Sequence, residues 1–511
     1  MKNAALLPRW GDTIKERPSP AFMLLLLALL AALCVGVAIG RFNIVYGLAA
    51  AGACVVVIIL QLRLDELMVM LIIAVHVIVD WYLALRLVSL LMGLVLLVVC
   101  YLGRSANHRW LKPRPLWLWA LFLTLTLYPA INGALDLYDA DTFYPSLVLS
   151  AFIMFWLGNI VAKDISAVRR VFQLLAVFAT LIAVHTIIEA TTGGFLFESA
   201  RAEALLDSRS NYQLVQNAMQ TVGAGVSRAS SFLGHPDGNG TFLAFSFFLP
   251  LGLFIESKRL WAKMSYLLEM LLILLALMFT YSTGAWIALL AGLLAFVVFA
   301  GHIRYSVLLL ILVAILTVMV ITVLPSQLAL QLSHLSANNE SSLHVASWQT
   351  ALRVTQAFPL FGVGLGDQAY LIRAEPFRVP AQITPLFEPD NSYLQWGAMA
   401  GIPVMLVFLL LLGYVFWFSW RNWRAMDTRY RPLLGGGIVA LIALSINSLG
   451  IDGWTDPGGM ASLGWLVAGL VASPLIGRCL CRQQPVPANE KTTRIVHAQA
   501  ETSRNLAKRS S

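Results

Sequence analysis

Ser341-Ser342-Leu343-His344-Val345-Ala346-Ser347-Trp348 opens a stretch that continues through Phe358-Pro359-Leu360-Phe361-Gly362-Val363-Gly364-Leu365-Gly366. It closes with Pro389-Asp390-Asn391-Ser392-Tyr393-Leu394-Gln395, and Gly401-Ile402-Pro403 then starts a new apolar run. This stretch is polar and broken by glycine, whereas most of the chain is not. Apolar residues make up 59% of the 511 and charged ones 12%, more apolar surface than a water-soluble core can use. The chain therefore reads as an all-α, polytopic membrane bundle, and 341–401 reads as a long water-facing loop. Long structured loops between spans are where function concentrates.

Working outward, windows of 17 or more mostly apolar residues fall near 21–40, 44–60, 67–83, 87–102, 116–132, 145–162 and 171–190. They continue near 241–256, 264–281, 284–301, 306–324, 401–420, 434–450 and 460–476, which makes about fourteen transmembrane helices. Arg9, Lys15 and Arg17 precede the first window and no small-residue cleavage motif follows it cleanly, so it reads as an uncleaved helix. With the N-terminus inside, the expected cytoplasmic segments hold 27 of the 35 Lys and Arg residues. Basic residues are retained on the cytoplasmic side, which predicts both termini in the cytoplasm. The net charge of +9 then reflects topology and anionic lipid rather than nucleic acid.

Four regions follow from this pattern: a cytoplasmic N-terminus at 1–20, N-terminal membrane helices at 21–169, a membrane domain at 170–476 with an exterior loop at 325–400, and a tail at 477–511. The tail is basic, contains Gln483-Gln484-Pro485-Val486-Pro487 and lacks periodicity, the composition of a disordered segment. Cys34, Cys54 and Cys100 sit in apolar runs and Cys479 and Cys481 in the tail, a pattern of inert thiols. Asp136, Asp139 and Asp141 lie in an expected exterior loop without Lys or Arg. No internal repeat or inverted pair of broken helices is visible.

Several pieces share an order. Arg228-Ala229-Ser230-Ser231-Phe232-Leu233-Gly234-His235-Pro236 precedes a span, and Thr280-Tyr281-Ser282-Thr283-Gly284-Ala285 forms a tight exterior turn. Trp348-x-x-Ala351-Leu352, Pro359-x-x-Gly362-x-Gly364-x-Gly366, Asp390-Asn391-Ser392-Tyr393-Leu394 and Gly401 follow. Over residues 170–476 this resembles the O-antigen ligase and Wzy-type polymerase family. Three positions depart from the family pattern: His344 stands where an arginine is usual, Asp390 where a histidine is, and Thr283 where an arginine is.

The resemblance implies a metal-independent membrane glycosyltransferase without a cofactor. Its partners would be a polyprenyl-diphosphate-linked glycan donor, a glycan or lipid-glycan acceptor and membrane lipid. The donor carries its own leaving group, so the site needs a cation for the diphosphate and a group to align the acceptor hydroxyl or take its proton. Arg228 matches the family's basic position and is the candidate for the diphosphate; the competing reading is an interfacial arginine reaching lipid phosphate. Arg373 and Arg378 share the exterior loop and offer further charge, or are solvated loop residues. Asp390 is the candidate base or acceptor-orienting group, or else a helix cap, since Pro-Asp-Asn-Ser precedes a helix. Asn391 and Tyr393 would bind acceptor or hold structure. His344 and His235 could supply the charges the departures remove, though only when protonated, and each has a structural alternative.

Other chemistries fit less well. The three glycines lack the Gly-Lys-Ser/Thr of a Walker loop, so backbone freedom in a tight loop accounts for them better. His76, Asp80, Glu189, Glu269 and Asn447 lie within or at the ends of spans, where a flippase or exporter would place coupling groups. They do not cluster in one half of the chain. A family member without catalysis is the remaining alternative.

Overall fold

The computed structural model describes residues 115–134, 144–162, 164–192, 221–222, 226–233, 235–300, 339–380, 388–456, 460–474 and 476. The expected N-terminal segment, the spans between 21 and 102, the span near 306–324, the loop portion 325–338 and the tail 477–511 lie outside these residues.

The described chain is helical except for a two-residue antiparallel ladder, β1 (Thr221–Val222) with β2 (Val226–Ser227). Its helices are α1 (Leu116–Gly133), α2 (Ser150–Val161, entered through a π-helical turn at Tyr144–Leu149), α3 (Ile165–Thr192), α4 (Pro236–Glu256), α5 (Leu260–Thr280) and α6 (Thr283–Ala300). After them come α7 (Asn339–Ala357), α8 (Asp367–Ala374), the short α9 (Ser392–Gln395, continuing as a π-helical turn to Ala400), α10 (Ile402–Ala425), α11 (Arg431–Asn447) and α12 (Met460–Val471). Five of these, α1, α3, α4, α5 and α10, are long and apolar enough to cross a membrane. α2, α6, α11 and α12 are shorter apolar helices. All nine fall on expected spans, so the polytopic helical bundle stands; the other five expected spans lie outside the described residues.

Helix α4 is the axis of the bundle, buried on nearly every side and packed by α3, α5, α6 and α11. Without a hydrophobic drive between helices in lipid, close backbone approach has to hold them. Gly252 of α4 faces Gly436 of α11, where a Cβ on Gly436 would overlap the Phe248 carbonyl. Gly158 of α2 and Gly469 of α12 approach in the same way. A second core joins α1, α2, α10 and α12 through Trp119, Phe122, Phe155, Phe408 and Trp465, with the Trp119 and Trp465 rings 4.9 Å apart.

The two ends of the bundle differ in charge. At one, the start of α3 meets the connections 257–259 and 426–430, with Arg169 bonded to the buried Glu256, and with Lys258, Arg259, Lys263, Arg424, Arg429 and Arg431 around them. At the other end meet the segment before α4, the α5–α6 turn, the α7–α8 turn, residues 388–391 and the loop 448–456.

Candidate functional site

The glycine turn explains how the loop is mounted. Val363 N donates to Ala398 O at 2.9 Å, Gly364 N to Met399 O at 2.9 Å and Leu365 N to Pro129 O at 2.9 Å. The turn's amides are thus spent on α1 and the π-helical turn, and no phosphate cradle is formed. Gly362 has φ +63 and Gly364 φ +112, conformations that glycine adopts without a Cβ clash. Arg373 donates to Val363 O at 2.6 Å and pins the same turn.

Above it, α7 carries Trp348, whose indole N–H donates to the Asp390 carbonyl at 3.3 Å. Asp390 itself has φ +50, and His344 Nδ1 lies 3.7 Å from its carboxylate. Both side chains are partly exposed, at 45% and 42%. The helix cap that the sequence allowed for Asp390 belongs to its neighbour: Asn391 Oδ1 accepts from Tyr393 N and Leu394 N, both at 3.0 Å. Asn391 Nδ2 donates to Leu449 O at 2.7 Å and Tyr393 Oη to Ser445 O at 2.7 Å. Burial pushes the Tyr393 phenol up to about 12. These two residues lock α9 to the end of α11, and that lock leaves the Asp390 side chain outside the cap.

The second half of the site comes from the segment before α4. Arg228 is buried, its Nε donating to Thr280 O at 3.0 Å and its NH2 to Asp237 Oδ1 at 2.6 Å. It is turned into the protein and not outward to lipid phosphate. Ser282, from the tight α5–α6 turn, also bonds Asp237. The loop carrying Arg228 is held from below by Glu189 of α3, which accepts from Ser230 N at 3.1 Å and Ser231 N at 2.7 Å. His235 caps α4, its Nδ1 accepting from Asp237 N at 3.2 Å. Desolvation holds its imidazole below the ordinary histidine range, so the ring is neutral near pH 7 and acts as a hydrogen-bonding group rather than a cation. The charges of Asp390 and Asp456 both act on this ring, so the two halves of the site lie within electrostatic reach of each other. Among the non-glycine residues described, positive φ occurs at Ser231, Tyr281 and Asp390, all at this end.

Of the residues singled out from sequence, Arg228, His235, His344 and Asp390 converge here. Arg373 and Arg378 take other partners, the glycine turn and the Glu375 carboxylate. Sequence reasoning did not single out Asp237, Glu388, Asp452 or Asp456. A signal was present in Asp452-Gly453-Trp454-Thr455-Asp456, an acidic turn between two spans on the expected exterior side.

Glu388 and Asp452 hydrogen-bond through their carboxyls. Desolvation, and then the charge of Asp456, pushes Asp452 up to about 8; desolvation and the charges of Asp452, Asp367 and Asp390 raise Glu388. Two carboxylates in contact cannot both ionise cheaply, so the pair keeps a proton near neutrality. The native chain then binds a proton that the unfolded chain, with a carboxyl pKa near ~4, has released. Stability from this pair is therefore full at low pH and lost as pH rises through about 8. Thermal melts of the detergent-solubilised chain from pH 5 to pH 9 are expected to show this decline, and Asp452→Asn to flatten it.

Residues 268–409 match the family model described as O-antigen ligase. The match runs from α5 through the mounted loop into α10; Arg228, His235 and the Asp452 turn lie outside it. No curated protein matches the chain. With a helical membrane bundle, and with Trp348, the glycine turn and Asp390-Asn391-Ser392-Tyr393 mounted as one unit, this match supports assigning the chain to the O-antigen ligase family.

Proposed function

We propose that the chain transfers a glycan from a polyprenyl-diphosphate donor to a sugar hydroxyl at the loop end of the bundle. The observation that carries this reading is the convergence of Arg228, His235, His344 and Asp390 from three separate stretches of sequence. Basic residues gather at the opposite end, the distribution expected of a cytoplasmic face, which supports reading the loop end as the exterior face of a bacterial cytoplasmic membrane.

In this reading Arg228 neutralises the diphosphate as the glycosidic bond breaks, with Asp237 setting the plane of its guanidinium. Asp390 orients the acceptor hydroxyl or accepts its proton, and His344 stands beside it. The α-carbon backbone at Asp390 is held in a left-handed conformation by Trp348 on one side and the Asn391 cap on the other, so the carboxylate projects from a fixed base. The chemistry needs no energy source beyond the donor's own diphosphate.

The test is the size distribution of glycans on the polyprenyl carrier after the protein is removed from its host. Long chains retained on the carrier, with none on the final acceptor, identify a ligase. Single repeat units stranded there identify a polymerase. Carrier glycans trapped on the inner face overturn transfer and point to a flippase, and an unchanged profile points to a non-catalytic member.

A further inference from the structure

The turn Phe358-Pro359-Leu360-Phe361 is apolar, yet it is not part of the core. Phe358, Leu360 and Phe361 are 43%, 63% and 50% exposed. On a water-facing loop such a patch would be an aggregation liability. Its position in the fold removes the paradox. Ile402, the first residue of α10, donates its N–H to Pro359 O at 2.8 Å, so the turn lies level with the start of that helix. The Phe361 ring packs on Tyr128 near the end of α1, with centroids 4.6 Å apart, and Leu365 N bonds Pro129 O. The turn is thus fastened to the loop-side ends of two candidate membrane spans.

Both spans continue the same apolar surface. Leu127, Tyr128 and Ile131 are exposed on α1, and Leu406, Leu409 and Leu410 on α10. A span's exposed apolar side chains face acyl chains, and the turn adjoins that face at Tyr128 and Ile402. Aromatic and apolar side chains at the end of a span are the composition of an interfacial anchor.

We propose that Phe358, Leu360 and Phe361 are immersed in the lipid leaflet at the loop end, where they anchor the loop to the bilayer. The occupant of this surface is membrane lipid. The anchor lies directly after α7, whose earlier turns carry His344 and Trp348, the residue that bonds the Asp390 carbonyl. Fixing the end of α7 in the leaflet sets the height of that helix over the site. The inference concerns membrane depth and stands independently of the glycan-transfer reading.

Nitroxide depth measurement tests it. The five native cysteines are replaced, and a single spin-labelled cysteine is introduced at Leu360, Gln356 or Leu409 in the full chain, reconstituted into phosphatidylethanolamine–phosphatidylglycerol vesicles. The label at 360 is expected to collide with oxygen in preference to water-soluble nickel chelate, as at Leu409, with a ratio several-fold above that at the exposed Gln356. A label at Phe358 gives a second, independent position should Leu360→Cys prove unstable. Chelate access at both positions equal to that at Gln356 overturns the proposal in favour of a water-exposed patch. Shielding from both oxygen and chelate overturns it in favour of a protein contact, from a second copy or another part of this chain.

Discussion

Arg228→Ala is expected to lower glycan transfer by about 10²–10³-fold, the loss typical of removing one preorganised charge-stabilising donor. The guanidinium is buried and held by two fixed partners, the Thr280 carbonyl and Asp237, so it does not have to reorganise when charge develops on the leaving diphosphate. Arg228→Lys is expected to recover little of the loss. An ammonium lacks the planar fork that meets Thr280 and Asp237 at once. Because the substitution leaves Asp237 without its cation, both variants are first compared with wild type by thermal melt and gel filtration in detergent. Transfer is then measured with purified lipid-linked donor and acceptor. A folded Arg228→Ala chain that transfers within a few-fold of the wild-type rate overturns the assigned role.

Gly362→Ala is expected to destabilise the loop by about 2–5 kcal/mol, the sum of a left-handed backbone penalty of about 1–2 and an overpacking cost of about 1–3. Gly362 has φ +63, and a Cβ there would overlap the backbone at Met399 and Ala400. The obstacle is main chain rather than the end of a flexible side chain, so relief requires moving the π-helical turn that follows α9. Limited proteolysis within 339–380 is expected to accelerate, alongside a lower melting temperature. Gly413→Ala is the matched control. Nothing lies within 4 Å of a Cβ at Gly413 in α10, and alanine is the better helix former, so that variant is expected to be neutral or slightly stabilising. Equal melting temperatures for the two variants overturn the mounting of the loop through its glycine turn.

The comparison of Asp390 with Asn391 shows where sequence reading stops. Either residue type can cap a helix, and Pro-Asp-Asn-Ser does not rank them. The choice was made by the loop after α11, where the Leu449 carbonyl takes the Asn391 side-chain N–H and turns the Asn391 Oδ1 toward the first turn of α9. Arg373 and Arg378 show the same limit in reverse. Both carry the charge and loop position expected of substrate-binding groups, but the glycine turn and Glu375 are nearer partners. Glu189 was visible as a costly polar group within an apolar run; its use, accepting two amides from the loop of Arg228, depends on a segment some forty residues away in the chain.

What the sequence by itself determined was the bundle and the end at which to look. Span length is set by bilayer thickness and read directly from apolar runs; the polar, glycine-broken stretch could only be a loop, because open backbone is not tolerated in lipid. The tertiary structure alone decided which charges meet. Arg228 finds Asp237 and Ser282, Glu388 finds Asp452, and His235 comes under the charges of Asp390 and Asp456. The physical reason is that helix periodicity and hydropathy are local properties, whereas these partners arrive on separate segments, most of them loops between helices. The packing of those helices against α4, through glycine contacts that no single segment specifies, places them side by side.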